Sequence, residues 1–447
     1  MKKIYFITLG CNKNQVDSEY ITARIAPIFQ LTGNPEEADI IIISGCSFLK
    51  SARDEAEDYI TEYIKYKENK CSCLIVSGCF GEYAADEIIN NFADVDIVVG
   101  IAYFHILPNI IKSFYNKTLE KRVWIGSKDI SSLYDKGLRV VPYGASAYVK
   151  ISDGCDNRCS YCLIPAIRGS LQSRSIKDIK DEVVKLADNG VKEINLLAQD
   201  IGSYGIDRKD GANLYKLLTE LVKIQGIKWI RLLYLHPRHI NEAFAKLVCD
   251  EEKICSYLDI PLQHINDKIL QAMNRNITSQ EIIEKIEMLR KNIPELVLRT
   301  TFIVGFPGET NSDFNELLDF AGKYIFDKIG VFCYSEEQGT KAVEYSNKIT
   351  QEIKEERFKK LIERQEQIAQ EHNKKWIGKE LDIIVENYIK DKKTGVGRMY
   401  GMAPDVDGVV YFQTCKAVSS GQFVKVKIIK TDAYDMYGTQ SAIARTK

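Results

Sequence analysis

The chain has 447 residues, of which 45% are hydrophobic and 28% charged; this excludes a disordered or fibrous protein and is too long for one ordinary core, so two or three domains are expected. Lys and Arg number 61 against 62 Asp and Glu, which disfavours a partner held mainly through phosphates, although a local basic patch can hide in a neutral total. The start MKKIYFITLGC carries no cleavage pattern, and the longest apolar run, ADIIIISGC, is too short to span a bilayer. The expectation is a cytoplasmic protein with no membrane partner. Twelve cysteines in a reducing compartment read as metal ligands, reactive thiols or core residues, not disulfides.

Residues 1–140 alternate short apolar runs with helical patterns. KKIYFITL, ADIIIIS and CLIVS each stop at a glycine, and SARDEAEDYITEYIKYK follows as an amphipathic helix. Such alternation predicts a small parallel sheet with helices on its faces. The three strands end LGC, SGC and SGC, at Cys11, Cys46 and Cys79. Parallel strands bring their carboxyl ends to one edge, where open α/β sheets bind ligands. Three Gly-Cys turns there form a shared thiolate cluster; the alternative is three buried cysteines serving as small hydrophobes. Cys71 and Cys73 begin a strand and read as structural.

Residues 141–375 repeat strand, loop and helix. SAYVKIS, EINLLA, WIRLLYL, YLDIPL, LRTTFIVG and KIGVFCYS are the strands, and six βα units fit an open, partial barrel. Working residues of such barrels sit at strand C-termini, here Gln199 and Asp200, His236 and Pro237, Gln263 and His264, and GFPGET. The two histidines are expected to be structural. TQEIKEERFKKLIERQEQIAQEHNKKW is a connecting amphipathic helix with apolar Ile353, Phe358, Leu361 and Ile368. Residues 376–447 switch to β runs split by glycine turns, which predicts a small antiparallel β-barrel of about five strands. The fold class is therefore α/β, in three segments.

The first barrel strand runs into GCDNRCSYC, with Cys155, Cys159 and Cys162 spaced by three residues and then two. Structural zinc asks for a closed set of four ligands, and neither cysteine nor histidine lies nearby in sequence to complete one; Asp153 or Asp156 would do so only awkwardly. A four-iron cluster on three thiolates leaves one iron open to a small molecule. S-adenosylmethionine bound there is open to reductive cleavage to a 5′-deoxyadenosyl radical. Tyr161 before the third cysteine, the preceding strand and the barrel all agree with the radical-SAM pattern.

LGCNKNQVDSE, GCSFLKSA, SGCFGE, ISDGCDNRCSYCLIPAIRGSLQSR, LLAQDIGSYGID, YLDIPLQH, TFIVGFPGET and DAYDMYGT together resemble the radical-SAM methylthiotransferase family along nearly the whole chain, most closely its RimO-type branch. The resemblance implies an auxiliary 4Fe-4S cluster on Cys11, Cys46 and Cys79, the radical-generating 4Fe-4S cluster on Cys155, Cys159 and Cys162, and a C-terminal TRAM domain. It implies methylthiolation of the β-carbon of an aspartate in small-subunit ribosomal protein S-twelve, with S-adenosylmethionine as methyl donor and radical source. A reductant such as flavodoxin or ferredoxin and a sulfur donor are the implied partners. Candidate cofactor contacts are Tyr161, Gln199 and Asp200, Arg299 for the methionine carboxylate, and Gly305; Arg299 has a second reading as the partner of Glu193 or Asp259 inside the barrel.

The sibling MiaB-like branch performs the same chemistry on a tRNA adenosine. From residue 376 there are eleven Lys and Arg against eight Asp and Glu, only mildly basic for an RNA-binding barrel, and APDVDG and DAYDMYG resemble the protein-modifying branch. Ser47 and Asp156 depart from the family pattern. Lys390, Lys392 and Lys393 read as a solvated turn, with an RNA-contact patch as the alternative. Two other classes remain open at this point: an electron-transfer protein without radical chemistry, and a zinc-stabilised RNA-binding module.

Overall fold

The computed structural model describes residues 1–134, 139–140 and 144–441. Residue 141, where the second segment is expected to begin, lies outside them, as do 442–447. The chain forms two compact units, one of Met1–Pro142, Lys150–Asp178 and Ser335–Val343, the other of Tyr143–Val149, Ile179–Tyr334 and Glu344–Lys447.

In the first unit six strands pair in parallel in the order Gln30–Leu31, Lys3–Thr8, Ile40–Gly45, Cys73–Ser77, Ile97–Val99, Val123–Trp124. Every residue of Ile40–Gly45 is buried, as a central parallel strand covered on both faces requires. The three outer strands have only two or three residues, too few for any periodicity to announce them. Ile41, Ile43, Leu74, Val76 and Val98 pack with Ile60, Phe80 and Ile88 into one core. Cys71 and Cys73 are buried at the start of their strand, where the Cys71 thiol donates to the Cys73 carbonyl at 3.4 Å.

In the second unit an open sheet has the order Lys328–Cys333, Val297–Val304, Ile254–Asp259, Trp229–Leu232, Glu193–Leu197, Ser146–Lys150, with parallel pairing from 193 to 333. Asn213, Asn241 and Asn266 cap its helices, and Thr278 and Thr310 form capping boxes, satisfying first-turn N–H groups that would otherwise lack partners. The C-terminal barrel is closed, from Glu380–Ile389, Thr394–Arg398, Val410–Gln413, Met436–Gln440 and Phe423–Thr431 in that circular order. Four pairings are antiparallel, and Val410–Gln413 runs parallel to Met436–Gln440. A ring of five strands cannot alternate direction all the way round, so the expected antiparallel barrel needs one parallel pair.

The connecting helix Gln351–Asn373 corrects the expected apolar face. Ile353 and Phe358 are exposed, while the buried stripe is Lys354, Arg357, Leu361, Gln365, Ala369 and Asn373. The polar members are buried because each donates to a main-chain carbonyl: Lys354 to Tyr334 at 2.9 Å, Arg357 to Glu309 at 3.2 Å, Gln365 to Phe326 at 3.2 Å and Asn373 to Ala433 at 3.1 Å.

A buried ion cluster fixes the C-terminal barrel to the strand starts of the sheet. Arg231 donates to Glu193 Oε1 through Nε and Nη2 at 2.9 and 2.8 Å, and Arg398 Nη1 reaches the same oxygen at 3.2 Å. The APDVDG loop adds Asp405 to Tyr148 at 2.8 Å and Asp407 to Tyr257 at 2.9 Å. Both aspartates of the loop thus accept hydrogen bonds from within the unit. Lys390, Lys392 and Lys393 form an exposed turn.

Candidate active site

The three Gly-Cys turns of the first unit meet as predicted. Gly10 has φ +88°, and a β-carbon on it would lie 2.5 Å from Cys46 Cβ; one on Gly78, at φ +82°, would lie 2.8 Å from the Gly45 carbonyl. Only glycine permits that approach. The residue that fastens the turns is Asn14, which follows Cys11 by one helical turn. Its Nδ2 donates to the Leu9 carbonyl at 3.1 Å and to the Gly45 carbonyl at 3.2 Å, and its Oδ1 accepts from the Cys79 thiol at 3.5 Å. Ser47 is buried and donates to the Cys79 carbonyl at 3.0 Å, which accounts for a small hydroxyl at that place.

The three thiols differ. Burial pushes Cys79 up to about 12, with Arg168 opposing, and burial together with Cys11 raises Cys46. Desolvation would raise Cys11 too, but the charges of Lys13 and Arg168 and the N–H groups of Asn14 and Lys13 outweigh it, and that thiol sits below its ordinary value.

The loop Cys155–Cys162 belongs to the same unit. Gly154 turns it at φ +69°, where a β-carbon would fall 2.0 Å from the Ser170 carbonyl. Asp156 accepts from the Leu171 N–H at 3.3 Å, so this departure from the family pattern braces the loop. All three loop cysteines are half-buried. A cavity of about 410 Å³ opens beside Cys155, walled by Lys128, Arg158, Gly169 and Gln172 among others. Residues 335–343 are bonded to neighbours of both cysteine sets: Glu337 accepts from the Lys50 N–H at 2.9 Å and pairs with Arg53 at 2.8 Å, four and seven residues after Cys46, and Ala342 N–H donates to the Ser160 carbonyl at 2.8 Å.

Four buried charges lie between the cysteine sets. Arg168 Nη1 donates to Asp153 Oδ2 at 2.8 Å; Nη2 donates to Asp17 Oδ2 and Asn14 Oδ1, both at 2.9 Å, and to Cys79 Sγ at 3.1 Å. Lys150 donates to Asp153 at 2.7 Å and also pairs with Asp17. Burial alone would raise Asp153, but Arg168 and Lys150 hold its carboxyl well below the usual range; burial would lower Lys150, yet Asp153 and Asp17 hold it above its usual value. Two cations against two carboxylates leave the cluster neutral, the condition under which buried charge is tolerated.

The predicted contacts of the second unit divide. Gln199 and Gly305 lie at strand ends, but Gly305 is needed for packing: a β-carbon there would meet Lys354 Cγ at 2.3 Å, and the Phe306 N–H beside it is taken by Glu309 at 3.0 Å. Asp200 accepts from the Gly202 N–H, the His236 N–H and the Ser203 hydroxyl at 3.0, 3.2 and 2.7 Å, with His239 Nε2 at 3.2 Å; its oxygens organise the turn. Arg299 is engaged inside the barrel. It stands five residues before the end of its strand, roughly 17 Å from that edge, and pairs with Asp259 at 3.0 Å, one of its two expected barrel partners. Burial holds His236 and His264 down at about 2 and about 3, and each accepts a main-chain N–H through Nδ1, as structural histidines do.

The Radical SAM superfamily matches residues 149–321, the uncharacterized protein family UPF0004 residues 3–100, and the TRAM domain residues 377–440. Ribosomal protein uS12 methylthiotransferase RimO of Clostridium botulinum is 43% identical over 440 residues, covering 98% of this chain and 97% of the relative; that of Acetivibrio thermocellus is 42% identical over 443 residues, covering 98% of each. The chain belongs to the RimO family of uS12 methylthiotransferases. RimO enzymes are radical-SAM methylthiotransferases that modify a protein, so the tRNA-modifying sibling, the electron-transfer protein and the RNA-binding module are set aside. In fold, the radical S-adenosylmethionine methyltransferase TsrM of Kitasatospora setae is similar, with a TM-score of 0.59 at 14% identity over 76% of this chain and 74% of that one. Among the described residues no helix is long and apolar enough to cross a membrane.

The donor sets fit iron–sulfur clusters. Each set offers three thiols, the number that leaves one iron of a four-iron cluster open, and a cation lies beside a sulfur of the first set, with Arg168 Nη2 at 3.1 Å from Cys79 Sγ. Asn14, Asp17, Lys150, Arg168 and Glu337 escaped the sequence reading. Lys150 alone gave a signal, a charge inside the apolar strand AYVKI.

Proposed function

We propose that this RimO-family chain methylthiolates its uS12 aspartate with Cys155, Cys159 and Cys162 holding the radical-generating 4Fe-4S cluster and Cys11, Cys46 and Cys79 holding the auxiliary one. The observation that carries the assignment is the pair of cysteine triads within one compact unit, joined by Arg168, which touches Cys79 and follows Cys162 by six residues. When bound, the clusters and S-adenosylmethionine supply abstraction of an unactivated hydrogen and delivery of a methylthio group, chemistry for which no side chain suffices. The protein contributes placement. Asn14 fixes the distance between the auxiliary turns, Gly154 and Asp156 shape the radical loop, and residues 335–343 hold both sets in one frame. Tyr161, Gln199, Asp200, Arg299 and Gly305 are the candidate contacts for S-adenosylmethionine. The three segments 1–140, 141–375 and 376–447 serve as the auxiliary-cluster domain, the radical-SAM partial barrel with its connecting helix, and the TRAM domain. A low-potential reductant of the flavodoxin or ferredoxin kind and a sulfur donor complete the reaction in the cytoplasm, where its ribosomal substrate resides.

The test is the intact mass of uS12 from cells lacking this chain, with tRNA nucleosides of the same culture as control. Loss of one methylthio group from uS12, with tRNA unchanged, is expected. Loss from tRNA alone would overturn the substrate assignment.

A further inference from the structure

We infer that Arg168 is a positioning residue that sets the reduction potential of the auxiliary cluster, raising it by a hydrogen bond and a fixed positive charge at the sulfur of Cys79. This rests on the assignment of Cys11, Cys46 and Cys79 to that cluster. Arg168 is buried, and its fork is fully engaged, with Asp153 on one side and Asp17, Asn14 and Cys79 on the other. A guanidinium needed merely to neutralise Asp17 and Asp153 would be satisfied by those carboxylates. Here the planar fork also aims Nη2 at Cys79 Sγ, 3.1 Å away, which a flexible ammonium would not do as reproducibly.

The surrounding charges sum to zero across Asp17, Asp153, Lys150 and Arg168, so the field at Cys79 is decided by the nearest member. That member is the Arg168 N–H. Asp17 accepts from Arg168 at 2.9 Å and pairs with Lys150, its charge opposing that of Arg168 at the sulfur, and Asp153 accepts from Arg168 and Lys150 at 2.8 and 2.7 Å. A donor and a cation at a ligating sulfur favour the cluster state with the extra electron, and so move its potential upward. Arg168 closes the short helix Ile164–Arg168 that follows Cys162. The same side chain therefore fixes the auxiliary turn relative to the radical loop.

The experiment uses the full-length chain with Cys155, Cys159 and Cys162 changed to alanine, so that only the auxiliary cluster is reconstituted. Iron and sulfide are counted, and the midpoint is read by an EPR-monitored redox titration. Arg168→Gln is expected to keep its iron and shift the midpoint to more negative potential, with Arg168→Lys lying between it and the parent. Asp17→Asn, which keeps Arg168 and removes one countercharge, is expected to shift the midpoint in the positive direction. Full iron with an unmoved midpoint in Arg168→Gln overturns the inference. Should Arg168→Gln fail to retain iron, an unmoved midpoint in Asp17→Asn overturns it instead. A parent that holds no iron or sulfide overturns the cluster assignment itself, a failure visible before any titration.

Discussion

Each compact unit contains a buried ion cluster, and the two are alike in chemistry but not in placement. In the first, Asp17, Lys150, Asp153 and Arg168 reach a cysteine sulfur. In the second, Glu193, Arg231 and Arg398 sit at the strand starts, the end of the sheet opposite the one where barrels of this kind place their chemistry. Burial holds no information about which is functional, since both are almost completely enclosed. What separates them is the company they keep. One borders two sets of soft ligands, while the other is bordered by the tyrosines and main-chain carbonyls that dock the C-terminal barrel.

The sharpest way to break this distinction is to cut at each cluster. Cys79→Ala is expected to halve the reconstituted iron and abolish methylthiolated uS12 while S-adenosylmethionine is still cleaved to 5′-deoxyadenosine. Cys159→Ala is expected to abolish that cleavage as well, a loss beyond the roughly 10–100-fold that removal of a supporting residue costs. Arg398→Met should behave otherwise. It leaves Glu193 buried with one cation fewer, at a cost of about 3–5 kcal/mol, read as a fall in the thermal midpoint. Iron content and product per folded molecule should be unchanged. An Arg398→Met enzyme with intact stability and lost activity would erase the distinction.

The distinction can be sharpened by pH. Burial would raise Glu193, but Arg231 and Arg398 bring it down to about 2; its contribution is present above the unfolded value of 4.5 and is lost as pH falls toward 2. Glu309 runs the other way. Desolvation lifts it to about 7 even though Arg357 lies 3.2 Å away and the Phe306 N–H donates to it. Its contribution is complete below 4.5 and is lost as pH rises from 4.5 to 7, by roughly 3 kcal/mol over that window. Glu309→Gln should therefore match the wild type near pH 4.5 and exceed it in thermal midpoint at pH 7.5. Equal midpoints across the range would show that Arg357 compensates the buried charge.

The same two regions show what a sequence discloses. The Gly-Cys recurrence at Cys11, Cys46 and Cys79 was legible because strand direction forces such turns to one edge, and the Cys155–Cys162 spacing was legible because it is local. Arg168, Asp17 and Glu337 were not, since a charged residue becomes meaningful only when folding brings it to a partner more than a hundred residues away. For a related reason the sequence left Arg299 between Glu193 and Asp259: the register of neighbouring strands sets it opposite Asp259. The two-residue outer strands left no periodicity to read. The parallel pair in the C-terminal barrel follows from closing an odd ring, a property of the assembly and not of any run of residues.

The connecting helix provides the smallest and most local test of the same lesson. Its composition placed Ile353 and Phe358 inward, yet the buried stripe runs through Lys354, Arg357 and Gln365 because the surface beneath it presents carbonyls. Gln365 Nε2 donates to Phe326 and Asp327 carbonyls at 3.2 and 3.3 Å. Gln365→Leu would add apolar surface to the helix and would improve stability if hydrophobic burial governed this face. It should instead cost about 1–2 kcal/mol, since two buried carbonyls lose a donor that the leucine cannot replace. Gln365→Glu should cost at least as much, because it sets a carboxylate against the same two oxygens. Thermal midpoints of the two variants decide the matter, and a stabilised Gln365→Leu would show that the helix docks by its apolar residues after all.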